Sequence, residues 1–513
     1  MRTTTSVPLE PLTQHAIASG SPVKTVSAMT GQPLVELPQS TVADVERAYR
    51  TARRAQPHWA AVSVKERAEI VLRFHDVLLS RQHEIIDLIQ LETGKSRWHA
   101  FQEVAGTAMN ARYYGFRAPK LLSPSRRYGL LPGLTHVTER RHPVGVVGTI
   151  SPWNYPVELG LSDAIPALLA GNGVVHKPDN QGALGVLWAL RLLREAGLPE
   201  DIYQVVLGDG PTIGTAVVDG ADHASFTGSS AVGRLIAERA GRKLIGCSLE
   251  LGGKNPLLVL EDADPIKAAS GAARDCFTSA GQLCGSSERL LVHDQVYDAF
   301  TRELLDRVRR LTVGVSLEYG PDVGSLVSQA QLDRVRAHLD DALAKGAHVL
   351  VGGNHRPDIG PFCFEPTVLT GVTPEMACYD EETFGPVIAL YRCRSEQEQI
   401  ELANASRYGL NACVWSEDVK HGQHVASKLE CGTVNVNEIF GVSYGSIDSP
   451  MGGMKDSGIG RRHGIEGLLR FTEAQTIATQ RGIPLEPPGN LTYGQLAAGY
   501  TGALRVFKAI HRR

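Results

Sequence analysis

One thiol stands among small residues in the run Ser279-Ala280-Gly281-Gln282-Leu283-Cys284-Gly285-Ser286-Ser287. Small neighbours leave room for a substrate carbon to reach the sulfur. Upstream, Ser248-Leu249-Glu250-Leu251-Gly252-Gly253-Lys254 offers a carboxylate. A cysteine and a carboxylate brought together make a nucleophile and its base. The chain carries 8 cysteines, and in a large reduced protein most of these are buried as small apolar residues. Cys284 therefore needs further parts around it. No CxxC pair and no zinc-like Cys/His spacing occurs, so no metal site is expected.

Three segments that follow strand-like runs could supply those parts. Val144-Gly145-Val146-Val147-Gly148-Thr149-Ile150 reads as a buried strand, and Ser151-Pro152-Trp153-Asn154-Tyr155-Pro156 follows it. The Asn154 amide could hold an oxyanion; it could equally cap the next helix. At His176-Lys177-Pro178-Asp179-Asn180, Lys177 could reach ribose or phosphate oxygens, or be an ordinary loop lysine. Phe226-Thr227-Gly228-Ser229-Ser230-Ala231-Val232-Gly233 lacks the GxGxxG spacing. Its Gly228 and the helix start after it still suit a phosphate. Elsewhere, Glu382-Thr383-Phe384-Gly385-Pro386 offers a carboxylate for ribose hydroxyls and a ring to support a flat heterocycle. The plainer reading is a solvated acid beside Asp380 and Glu381, with a core phenylalanine.

The elements that must position these groups follow from pattern. At 513 residues the chain exceeds one ordinary core. Residues 1–38 read as irregular, with a short hairpin near Thr30-Gly31-Gln32-Pro33. Helices follow from Ser40-Thr41 to Pro57, from about 65 to 80, up to Gly94, and from 98 to 114. From about 135, strands and helices alternate, which predicts a doubly wound parallel sheet. A second α/β series begins near Asn255. The boundary near residue 251 puts Glu250 and Cys284 at a cleft between two sheets, where ligands often bind. Net charge is −3, which disfavours nucleic acid as a partner. No run is long and apolar enough for a membrane span, and no leader is visible, so a cytoplasmic protein is expected. The basic tail from Ile483 through Pro484 to Arg513 could lie on a membrane surface or dock on its own or a neighbouring subunit.

Together these residues resemble the aldehyde dehydrogenase family, collinearly from about residue 25 to 478. Leu249-Glu250-Leu251-Gly252-Gly253-Lys254-Asn255-Pro256 and the run from Phe277 to Cys284 look like its two active-site signatures. Pro152-Trp153-Asn154, Glu382 to Pro386 and Gly452-Gly453-Met454-Lys455-Asp456-Ser457-Gly458 look like three more. The resemblance implies two doubly wound parallel-sheet domains with a small oligomerisation arm. Residues 1–121 and 144–251 would bind cofactor, and 252–450 would be catalytic. Residues 122–143 and 451–482 would form the arm and return segment, and 483–513 a tail. A homodimer or homotetramer is expected.

Cys284 would attack an aldehyde, Asn154 would hold the oxyanion, and Glu250 would activate water on the thioester. The cofactor would contact Trp153, Lys177, Asn180, Gly228, Ser229, Gly233, Leu251, Glu382 and Phe384. Relatives that prefer NAD usually place Glu where Asn180 stands, so NADP is expected to be preferred, with NAD possible. Within the family the chain is most similar to the second bacterial type of NADP-dependent succinate-semialdehyde dehydrogenases, which makes succinate semialdehyde the expected substrate. However, Ser162 and Thr278 stand where better-understood semialdehyde enzymes place arginines, and Glu158 near the tunnel would repel an anionic end. An apolar, aromatic or amino aldehyde is the alternative. A cofactor-independent cysteine thioesterase or esterase is the alternative of another class.

Overall fold

The computed structural model describes residues 2–130, 134–481 and 486–509. Two sheets carry the molecule. The first runs in the order Gly458–Ile459, Gly246–Glu250, His223–Thr227, Val146–Ser151, Gly173–Pro178, Tyr203–Val205. All its neighbours are parallel except the edge pair Gly458–Ile459 with Gly246–Glu250. From Val146–Ser151 the chain winds outward to one side, then returns to the other at His223–Thr227. That reversal opens a crevice beyond the carboxyl ends of these two strands.

The second sheet has the order His348–Val351, Thr367–Thr370, Val387–Cys393, Ser287–His293, Asn255–Val259, Asn411–Trp415, Thr433–Val436. Only its first pair is antiparallel. Four residues separate the last residue of one sheet's strand, Glu250, from the first of the other's, Asn255. The carboxyl edge of the first sheet therefore faces the amino edge of the second. A three-stranded sheet of Ser125–Arg127, Thr135–Pro143 and Thr472–Gln480 stands apart, its last strand almost wholly exposed. The segments Pro484 and 510–513, which the sequence reading included in a basic tail, lie outside the described residues. The helix Tyr493–Ala509 before that end buries none of its residues. Among the described residues no helix is long and apolar enough to cross a membrane.

Local chemistry explains where the helices start. Thr41 with Asp44, and Ser63 with Glu66, form reciprocal capping boxes for Val42–Ala61 and Val64–Ser80. Gly94 ends Gln82–Thr93 in the left-handed conformation, with φ of 76°. Two expectations need correction. The hairpin at 30–33 belongs to two seven-residue strands, Gly20–Val26 and Pro33–Gln39, so 1–38 is not irregular. Pro33 and Pro38 look like breakers but sit in a two-stranded ribbon that needs few ladder donors.

Pro57, moreover, does not end its helix, which continues to Ala61. The amide it lacks would have served the carbonyl of Arg53, and both residues are exposed, so water can serve it instead. The helix end is fixed from elsewhere. Trp59 Nε1 donates to Leu168 O at 2.9 Å. The buried Arg67 guanidinium donates to Trp59 O and Ala60 O, each at 3.2 Å, to Val62 O, and through Nε to Leu169 O at 3.0 Å. Replacing Arg67 with Met strands these carbonyls. The expected outcome is a loss of about 3 kcal/mol of stability, read as a lower midpoint in thermal unfolding.

Candidate active site

Cys284 sits just before the strand Ser287–His293, behind a turn that the backbone resists. Ser279, Ala280 and Gly281 have φ of 52°, 57° and 70°. Only glycine takes such values without cost; each of the other two costs about 1–2 kcal/mol. The turn is clamped by side chains. Tyr155 Oη and Ser279 Oγ lie 2.7 Å apart, and Ser279 N donates to His99 Nδ1 at 3.2 Å. Gln282 Nε2 donates to Ser279 O at 3.1 Å, while Val327 N donates to Gln282 Oε1 at 2.9 Å. At Gly281 a Cβ would lie 2.1 Å from Gly385 O, so glycine is required by space as well as by φ. Beyond the thiol, Asn255 Nδ2 donates to Cys284 O at 2.6 Å and Ser286 O at 2.8 Å.

Asn154 does not cap the helix Pro156–Leu169, whose capping residue is Tyr155. Its Nδ2 donates to Gln282 O at 2.9 Å, which leaves a second amide hydrogen. Lys95 Nζ fixes this segment from beneath: it donates to Asn154 O and to Glu103 Oε2, both at 2.6 Å, and lies 3.5 Å from the centre of the Tyr155 ring. Glu103 Oε1 in turn accepts from Val157 N at 2.8 Å.

Glu250 ends the strand Gly246–Glu250 next to Thr227. It is buried, and its Oε2 has no partner. Burial raises its pKa to about 7, against the pull of Arg462 and Arg470. Arg462 is itself buried and bidentate to Asp163, at 3.0 and 2.9 Å, with a third bond of 2.8 Å to Thr227 Oγ1. Cys284 is part-exposed. Burial, then Glu382 and Glu250, push its thiol up to about 12. At pH 7 the sulfur thus holds its proton until a base takes it.

Two cavities meet at Cys284. One is a cleft of about 560 Å³ lined by Trp153, Asn154, Gly228, Ser229, Glu250 and Glu382, with Leu251 and Phe384 beside them. It lies near a pocket of about 460 Å³ between Gly210, Pro211, Val232 and Leu235. The other is a smaller cavity of about 180 Å³. Its walls come from the helices Arg97–Leu121 and Pro156–Leu169 and from the segment around Phe440 and Tyr444.

The cleft fits a dinucleotide. The helix Ser230–Lys243 points its amino end at it, with Ser229 as the capping residue. A Cβ at Gly228 would strike the Phe226 ring at 2.5 Å, and one at Gly233 would strike Leu251 at the same distance. Both glycines therefore let the walls close around a ligand. Glu382 is no solvated acid. Gly253 N donates to its Oε1 at 2.9 Å, and burial and Glu288 raise it to about 8. Phe384, with φ of 56°, meets Trp153 edge to face at 5.5 Å. Lys177 and Asn180 stand just off the cleft. Lys177 Nζ donates to Pro178 O at 3.2 Å, and Asn180 Nδ2 to Gln39 Oε1 at 2.9 Å. Asn180 Oδ1 is buried without a partner, a free acceptor of the kind a ribose hydroxyl would use.

Sequence reasoning missed the residues that hold this set in place. Lys95, Glu103, His99 and Asn255 are among them, as is Glu288. Glu288 accepts from Thr383 N at 3.0 Å and Phe384 N at 2.9 Å while paired with Lys254 at 2.5 Å. A charged residue in an otherwise apolar strand, as in Ser287-Glu288-Arg289-Leu290-Leu291, is the signal that could have found it. Ser162 and Thr278, which stand where arginines were sought, turn away: their hydroxyls bond to Leu159 O and Arg274 O, and neither lines the cavity. Glu158 does line it. Burial, then Glu103, raises its pKa well above the ordinary carboxylate value. That shift favours its neutral form and so weakens the repulsion its formal charge suggests.

A partly exposed thiol, a buried carboxyl raised to about 7 and a free amide hydrogen thus line one junction. The model of the aldehyde dehydrogenase family matches residues 16–477, and the chain belongs to that family. It is 51% identical over 459 residues to a Mycolicibacterium smegmatis protein named "Putative succinate-semialdehyde dehydrogenase, NADP(+)", covering 90% of this chain and 89% of that one. It is 49% identical to a Mycobacterium ulcerans protein named "Putative succinate-semialdehyde dehydrogenase, NADP(+), 2", over 91% and 90% of the two chains. Among solved structures, Staphylococcus aureus betaine aldehyde dehydrogenase in complex with NAD+ superposes with a TM-score of 0.87 at 30% identity, covering 94% of this chain and 98% of the other.

Glu288 carries a prediction. Glu288→Ala releases the amides of Thr383 and Phe384 and leaves Lys254 buried without its partner. Dinucleotide affinity, read by fluorescence titration, should fall at least about tenfold, which corresponds to about 1.4 kcal/mol.

Proposed function

We propose that this chain oxidises an aldehyde to its carboxylic acid through a thiohemiacetal and a thioester on Cys284, with NADP as the preferred cofactor. The observation that supports this best is that, among the described residues, only Cys284 lines both the cleft and the inner cavity. The sulfur attacks the carbonyl carbon of an aldehyde in the inner cavity, and its proton passes toward Glu250. At pH 7 Glu382 is largely protonated, which removes its repulsion of the developing thiolate. The second Asn154 amide hydrogen and the Cys284 N–H receive the oxyanion. A nicotinamide bound between Glu382 and Phe384 would supply the acceptor for the hydride that leaves the carbon. Glu250, having released that first proton to solvent, then takes a proton from water as the water attacks the thioester; the C–S bond breaks, the acid leaves, and the proton on Glu250 returns to the Cys284 sulfur. Asn180, where a carboxylate would repel a 2′-phosphate, supports NADP over NAD.

In this reading residues 1–121 and 144–251 bind the cofactor and 252–450 carry the thiol. Residues 122–143 with 451–482 join subunits in a homodimer or homotetramer. The exposed strand Thr472–Gln480 supports that pairing, and sedimentation should give the mass of two or four chains. For the substrate, no lysine or arginine lines the inner cavity among the described residues, while one carboxyl does. This favours an aldehyde whose far end bears no negative charge. Succinate semialdehyde is the second reading, supported by the names of the relatives.

The test is a panel of aldehydes with NADP and with NAD, following reduced cofactor. Turnover that needs no cofactor, or kcat/KM with NAD equal to or above that with NADP, counts against the proposal. A preference for succinate semialdehyde over neutral aldehydes of equal length selects the second reading. Glu250 sets the pH dependence. It acts as the base only when ionised, so the deacylation rate should rise with pH through about 7 and fall tenfold per unit below it. Glu250→Gln should lower that rate by about 10²–10⁴, with thioester accumulating in single-turnover mass spectrometry.

A further inference from the structure

The inner cavity holds one acid that no cation of the described residues pairs with. Glu158 is 4% exposed. Its backbone N–H leans on Glu103 at 3.4 Å, and its carboxyl has Tyr444 as its side-chain hydrogen-bond partner. The cations near it are committed elsewhere: Lys95 to Glu103 and Asn154 O, and Arg462 to Asp163 and Thr227. The carboxyl is nevertheless held in place. Gly106 makes room for it, since a Cβ there would lie 1.6 Å from Glu158 Oε1. Beside it stands Tyr444, whose buried hydroxyl has no partner other than Glu158 among the described residues. The remaining walls are apolar or aromatic, among them Met109, Leu159, Phe440 and Met451.

A buried acid with no cation partner, a hydroxyl bonded only to that acid and aromatic walls together describe a receptor for an alkylammonium group. The cation would supply the charge that Glu158 lacks, and its N–H groups would satisfy both oxygens and Tyr444 Oη. Ring faces add a cation–π contribution. A carboxylate end would instead face this acid with no cation to share. An alkyl end would offer the carboxyl neither a charge partner nor a hydrogen-bond donor.

We propose that Glu158 and Tyr444 recognise the protonated amine of an aminoaldehyde whose carbonyl carbon lies at Cys284. This rests on the reading that the inner cavity takes the aldehyde. The test uses a nearly isosteric pair, 3-aminopropanal and butanal, with succinate semialdehyde as the anionic arm. The full enzyme should favour 3-aminopropanal over butanal by at least about tenfold in kcat/KM. Glu158→Gln, which keeps shape and loses charge, should shrink that ratio about 30-fold, as removal of one partner of a buried charge pair does. Tyr444→Phe should shrink it about threefold, the loss of one hydrogen bond.

A wild-type ratio of one or less, or a ratio that Glu158→Gln leaves unmoved, overturns the proposal, as does a preference for succinate semialdehyde. A readout without turnover separates it from the parent reading. 3-Aminopropan-1-ol should shield Cys284 from alkylation where butan-1-ol does not, and Glu158→Gln should abolish the shielding. Shielding without turnover of any aldehyde refutes the oxidation while supporting the amine site. Turnover without selective shielding does the reverse.

Discussion

The turn at Ser279-Ala280-Gly281 is the constraint on which the rest of the site depends. Three successive residues with positive φ aim the next segment so that Gln282 faces inward and Cys284 stands between two cavities. Such a turn is not stable by itself. It persists because surrounding structure over-determines it, and its clamps come from distant parts of the chain: His99, Tyr155, Ser325 and Val327. Two of these clamps, His99 in Arg97–Leu121 and Tyr155 at the start of Pro156–Leu169, belong to the helical segments that wall the inner cavity. The energy that orders the thiol is thus the packing energy of the substrate-side helices.

Electrostatics adds a second layer. Three carboxyls near the thiol, Glu250, Glu382 and Glu158, are all raised by burial. The shifts favour the neutral forms, so the pocket around the sulfur carries less self-repulsion than its formal charges suggest. The ionised pairs lie one shell further out, as Lys95 with Glu103, Lys254 with Glu288 and Arg462 with Asp163. Each of these fixes backbone or a side chain that touches the cavities, and removing one partner leaves a buried charge.

Much of this was legible in the sequence because the reacting groups stand at strand ends. The runs after Ile150, at Lys177 and after Phe226 share one edge of one sheet, as the alternation of strands and helices implied. The fold class and the family were readable for the same reason. The raised carboxyls of Glu382 and Glu158 were not legible, because a sequence shows formal charge, whereas burial decides protonation. Pro57 and the strands at 20–39 were misjudged because the local rule for proline yields where solvent serves the orphaned carbonyl. Lys95, Glu103 and Glu288 were invisible for another reason: they act on residues distant in the chain, through contacts that no local pattern encodes. Lys177 and Asn180 fall where the reading put them, at the end of Gly173–Pro178, yet their side chains are tied to Pro178 and Gln39 rather than turned into the cleft.

The joint at Cys284 also sets a rule for chemists. The cleft and the inner cavity share no other wall residue among those described. A small molecule built to occupy both compartments must pass over the sulfur. An electrophilic carbon placed at the bend of such a molecule would therefore be delivered to the thiol by the shape of its two arms. Selectivity among related enzymes would come from the inner arm alone, because the residues around Phe440 and Tyr444 line that compartment and not the other.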